Sequence, residues 1–129
     1  MNTTIDQRLT DYDPDVQETL SSLRTLVHEV AKQTDGCGTI VEDLKWNQIS
    51  FLTVRPKSGT TLRIDQNKTN GVSMYVNCQS NLIDQIADQY PTEFDYAGTR
   101  EIALKSPIKD CIAALKHVIA MVLLYHQNK

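Results

Sequence analysis

Residues 60–78 read TTLRIDQNKTNGVSMYVNC, and the fold turns on how this stretch is taken. From Thr60 to Asp65 the chain alternates. Leu62 and Ile64 share one face while Thr61, Arg63 and Asp65 share the other, the two-residue period of a half-buried strand. Asn70-Gly71 is a strong hairpin signal. Beyond it Val72, Met74, Val76 and Cys78 take the apolar face, and Ser73, Tyr75 and Asn77 the polar one. Two alternating strands around such a turn make an antiparallel hairpin, with one face for a core and one for solvent. Equal spacing on the two sides of the turn brings Arg63 across from Tyr75 and Asn77.

The flanking segments extend that hairpin into a domain. Asp13-Pro14 reads as an N-cap followed by proline at the first helical position. Val16, Leu20, Leu23, Val27 and Val30 then recur at spacings of four and three, which predicts an amphipathic helix ending near Gln33, with Gly36 and Gly38 breaking it. Residues 40–46 and 49–55 read as two strands split at Asn47-Gln48, and Pro56 to Gly59 as a turn. After the hairpin, a short helix over 81–90 is stopped by Pro91, and Thr99 to Lys105 forms a fifth strand. Ser106-Pro107 opens a last helix to about Gln127, with Ile108, Cys111, Ile112, Leu115, Val118, Ile119 and Val122 as its buried stripe. The expected order is α-β-β-β-β-α-β-α. This is an α+β single domain over residues 1–129, with an antiparallel sheet of four or five strands and the N- and C-terminal helices packed on one face. Val27, Leu62, Met74, Leu115 and Ile119 are predicted to be buried.

Composition narrows the function classes. A chain of 129 residues is long enough for one core. Thirteen basic against sixteen acidic residues leave a net charge of −3 with no basic run, which argues against a nucleic-acid partner. The start, MNTTIDQRLT, lacks a signal-peptide layout, and VIAMVLLY at 118–125 is under half the length that spans a bilayer, so no membrane partner and a cytoplasmic location are expected. Cys37, Cys78 and Cys111 are widely spaced with no C-x-x-C pair, neither a disulfide framework nor a zinc site by spacing. Cys78 and Cys111 fall on predicted apolar faces, and Cys37, between two glycines, is the expected exposed thiol.

Five stretches taken in order, LKWNQISF, KSGTTLRI, VSMYVNCQSNL, GTREIAL and LLYH, resemble the motifs of the YdhG-like bacterial domains, over about residues 15–126. The resemblance implies a small α+β domain of roughly frataxin-like outline with no established enzymatic activity, and one member of that family is regarded as an intracellular iron chaperone. One motif departs from the family. Where the family shows Trp-Gly-x-Pro, this chain has Trp46-Asn47-Gln48-Ile49. Asparagine tolerates positive φ, whereas isoleucine restores the backbone donor that proline lacks and lets the second strand begin earlier.

Three sets of residues could carry chemistry. Asp11, Asp13, Asp15 and Glu18 crowd the start of the first long helix. Carboxylate oxygens suit a hard cation such as ferrous iron, held weakly, although such residues also complement the helix dipole without any metal. Asp84, Asp88, Glu93 and Asp95 read as a solvated face. The polar hairpin face offers Arg63, Tyr75 and Asn77, joined by Gln79 and Arg100, as a site for a small anion or for a protein partner's acidic motif. Trp46 follows Leu44 at a spacing of two, which predicts a packing role over ligand stacking, and it is also the aromatic that would rim such a site. No nucleotide or zinc-protease motif is present, and no histidine pair has ligand spacing. The expectation is a binding or chaperone module, more so than an enzyme, as a monomer or homodimer.

Overall fold

In the computed structural model, which describes residues 3–127, the central hairpin forms as expected. Residues 62–66 pair antiparallel with 72–75, and Arg63 lies directly opposite Tyr75. The turn, however, is organised by Asn67. Its Oδ1 accepts the backbone N–H groups of Thr69 and Gly71, each at 3.0 Å, and its Nδ2 donates to Ser73 Oγ at 2.9 Å. Asn70 supplies the left-handed residue, at φ 64°.

The elements in chain order are α1 (Thr3–Leu9), α2 (Pro14–Gln33), β1 (Thr39–Lys45), β2 (Gln48–Val54), β3 (Leu62–Gln66), β4 (Val72–Tyr75), α3 (Leu82–Gln89), β5 (Phe94–Ala97), β6 (Glu101–Leu104) and α4 (Ile112–Leu123). All six strands are antiparallel, in the order β1-β2-β3-β4-β6-β5. The helix α2 lies on β3 and β4 and against α4. Beneath these helices Ile49, Phe51, Leu62, Ile64, Met74 and Ile102 are fully buried. All five residues predicted for the core, Val27, Leu62, Met74, Leu115 and Ile119, are buried.

The sheet has one strand more than the upper expectation, and there is an extra helix at each of two places. Residues 94–97 form β5, which pairs with β6 through a three-residue loop starting at Gly98, whose φ is 61°. Only four residues long, β5 gives too few positions for an alternation to show. Helix α1 rests on two apolar residues, Ile5 and Leu9, in an otherwise polar stretch, and a seven-residue helix forms only when tertiary contacts hold it. Ser106-Pro107 opens a single 3-10 turn, Ile108–Asp110, and α4 starts after it. Ile112 is therefore 42% exposed, and not part of the stripe. Cys78 also departs from expectation. With β4 ending at Tyr75, it lies beyond the alternation and is the exposed thiol, whereas Cys37 and Cys111 are half-buried. Burial raises the pKa of both half-buried thiols, with Asp110 adding to the effect at Cys111.

Three local devices hold the layers in place. Arg24 of α2 grips Glu42 of β1 with both prongs, at 2.6 and 2.7 Å, and reaches Asp6 of α1 at 2.7 Å, while His28 Nε2 meets the same Glu42 carboxylate at 2.8 Å. Burial alone would raise the pKa of Glu42, but the hydrogen bonds from Arg24 and His28 outweigh it and hold the carboxyl below its ordinary value. At the other end, the loop before β3 caps the last helix. Thr60 N–H donates to Val122 O at 3.2 Å and Ser58 Oγ to Leu123 O at 2.7 Å, satisfying carbonyls that a helix C-terminus leaves open. Gly59 sits so close that an added Cβ would lie 2.4 Å from Val122 O. Finally, on the edge strand β1, Asp43 Oδ1 accepts the N–H of Leu44 at 2.8 Å, which removes one donor from the reach of another strand.

Candidate functional site

The site begins at the β1–β2 turn. Lys45 pairs with Gln48, so the loop between them is just Trp46 and Asn47, and both lie in the left-handed region at φ 53° and 61°. A two-residue hairpin with positive φ at both positions is a type I′ turn, which favours asparagine or glycine and strongly disfavours a bulky residue. Asn47 fits, as its sequence position suggested. Trp46 was expected at the end of a strand with a packing role, and that expectation fails. It occupies the turn and is 88% exposed. Arg8 Nε donates to Asn47 O at 2.9 Å and fixes the turn from the α1 side. Ile49 is buried against Ile64, and β2 starts at Gln48, one residue before the expected start.

From this turn a shallow depression of about 440 Å³ spreads over the sheet face opposite the helices, lined by Trp46, Gln48, Arg63, Tyr75 and Arg100. The register explains the grouping. Ser50, Arg63, Tyr75 and Glu101 form one cross-strand row from β2 to β6, and strand alternation turns that row away from Ile64 and Met74. Ser50 and Ser73 on this face are fully buried because the longer side chains around them cover them.

The electrostatics are uneven. Arg63 is half-buried and Arg100 exposed, and neither guanidinium makes an ion pair or hydrogen bond among the described residues. The nearby carboxylates accept from other donors, two of which, Gln48 and Tyr75, line the depression. Asp65 accepts the Tyr12 hydroxyl at 2.6 Å and Gln48 Nε2 at 3.2 Å, with Arg8 at 3.9 Å. Glu101 accepts Ser73 Oγ at 2.7 Å and the Tyr75 hydroxyl at 3.5 Å. Burial, followed by the charge of Glu101, raises the pKa of Tyr75, whose hydroxyl donates to that carboxylate. The other arginines of the helical side, Arg8 and Arg24, are by contrast committed to carboxylates.

Asn77 does not line this depression. It lies one side-chain repeat farther along, in a second depression of about 410 Å³ with Lys57, Thr61, Gln79 and His126. Its Oδ1 accepts the N–H of Gln79 at 2.8 Å, so part of its role is to hold the loop after β4. Gln79, expected on the polar face, lies here with Asn77, and Lys57 and His126 are site neighbours that sequence reading left aside. Only the tertiary docking of the 56–60 loop and the chain end brings them together.

The four acidic residues considered for iron are dispersed. Asp11 pairs with Arg8 at 3.3 Å, Asp13 precedes α2 without a side-chain cap bond, and Asp15 and Glu18 are exposed along α2. Among the described residues, no group of three or more His, Cys, Asp or Glu is placed to hold a metal ion. No helix of the described residues is long and apolar enough to cross a membrane. No family model matches the chain, and neither curated proteins nor solved structures yield a match to it.

Proposed function

We propose that this protein is a non-enzymatic binding module that holds a small anionic ligand on its open sheet face. One observation carries the reading: two arginines that make no ion pair among the described residues share a depression with Trp46, Gln48 and Tyr75, on a chain of net charge −3. Arg63 would present its planar fork to a carboxylate or phosphate, Arg100 a second charge, and Tyr75 the flank of its ring. Trp46 would offer an aromatic wall to any flat part of the ligand. The iron-handling role implied by the YdhG-like resemblance has no comparable support, because Asp11, Asp13, Asp15 and Glu18 do not converge.

The test is a nuclear magnetic resonance titration with inorganic phosphate and with phenyl phosphate. Amide shifts should cluster at residues 46–48, 63, 75 and 100, and phenyl phosphate should bind more tightly. Arg63→Ala should weaken both by roughly tenfold or more, the scale of a lost charge-assisted hydrogen bond, with stability nearly unchanged. Shifts elsewhere, or equal binding by Arg63→Ala, would refute the site.

A further inference from the structure

The second depression lies at the open end of the hairpin whose strands line the first. Thr61 lies two residues before Arg63 and Asn77 two residues after Tyr75, which at the rise of a strand sets them about 7 Å farther along the hairpin. Arg100, which lines the first depression, has its backbone beside this step, since its carbonyl accepts the N–H of Val76 at 2.8 Å, between Tyr75 and Asn77. The lining of this depression also contains no carboxylate. Lys57 makes no ion pair or side-chain hydrogen bond among the described residues, and His126 is exposed beside it in the same lining. Hydroxyl and amide groups of Thr61, Ser80, Asn77 and Gln79 complete it. The two linings together hold the cations Arg63, Arg100 and Lys57, with polar donors among them. The chain's sixteen acidic residues are all outside both linings.

We infer that the two depressions are subsites of one groove, and that the ligand is a small molecule carrying two oxyanion groups about 7–10 Å apart. One group would lie at Arg63, Tyr75 and Arg100, and the other at Lys57 and the amide of Asn77. This rests on the anion-binding reading of the first depression and adds the class of ligand. A ligand joining both subsites gains because its second contact is intramolecular, at an effective concentration set by the linker.

Methylphosphonate and straight-chain alkane bisphosphonates of increasing length separate the two ideas in calorimetric titrations. Methylphosphonate should bind at the first subsite. Bisphosphonates should bind at least tenfold more tightly once their phosphonates can span about 7–10 Å, with no such gain for shorter ones. Lys57→Ala should abolish the gain while leaving methylphosphonate affinity intact, whereas Arg63→Ala should weaken every probe. If methylphosphonate binds but no bisphosphonate exceeds it by more than the statistical twofold, or Lys57→Ala leaves the gain unchanged, the groove is overturned and the single site stands. If methylphosphonate fails to bind, both readings fall.

Discussion

Replacing Trp46 with asparagine is expected to stabilise this protein while weakening its ligand. The left-handed region costs an ordinary L-residue about 1–2 kcal/mol, and asparagine relieves much of that. Against this stands the small packing loss. Since 88% of Trp46 is exposed, only about 30 Å² of the side chain is covered, worth about 0.7 kcal/mol at most. The balance is a gain of about 0.5–1 kcal/mol, or a rise in Tm of about 1–4 °C for a domain of this length. Trp46→Ala is the control, because alanine keeps the backbone penalty and should show no gain. Both variants should bind phenyl phosphate about threefold to tenfold more weakly, the range expected for a lost aromatic contact. Urea denaturation followed by far-ultraviolet circular dichroism, at constant m, measures the stability difference. If Trp46→Asn loses more than about 1 kcal/mol, the indole packs in solution and the strained-turn reasoning is wrong.

Glu42→Gln should cost about 2–3 kcal/mol at neutral pH, less than a fully buried pair because Arg24 keeps Asp6. The folded pKa of Glu42 is depressed, so its contribution is complete above the unfolded value near pH ~4.3 and is lost as pH falls through the folded value. The variant should accordingly show a shallower loss of Tm below about pH 4.3, and an unchanged acid limb would contradict the network. Gly59→Ala should destabilise by at least about 2 kcal/mol in the same denaturation assay, since its Cβ would collide with the carbonyls of Val122 and Leu123. Asp43→Ala frees the Leu44 N–H on an edge strand and should raise self-association in sedimentation velocity, with little change in Tm.

Much of the architecture is legible in the residues because its signals are local. Asp13-Pro14 starts α2 at the expected residue, and the spacing of Val16, Leu20, Leu23, Val27 and Val30 marks its buried side. The alternation around 60–78 predicts the pairing of Arg63 with Tyr75. What escapes is whatever depends on distant partners. Helix α1 needs Arg24 and the β1–β2 turn to hold it, and β5 needs β6 beside it. Cys78 was misplaced because alternation was carried past the true end of β4. Trp46 was misread for a related reason: period two applies only while the chain remains a strand, and at residue 46 it has already turned. For the site, the polar face and the Arg63–Tyr75 pair could be read in advance. That Asp65 would turn to Tyr12, leaving Arg63 without a partner, could not, because those residues are 53 positions apart.

The position of Trp46 also decides what light can report about this molecule. It is the only indole in the chain, and it already stands in water in the folded state. Its emission should therefore change little when the core melts, and a fluorescence trace that disagrees with circular dichroism would not signal a folding intermediate here. The same side chain borders the depression, so its quenching would follow occupancy of the sheet face. In this protein the intrinsic fluorophore is an instrument for ligands, and folding has to be watched through the backbone.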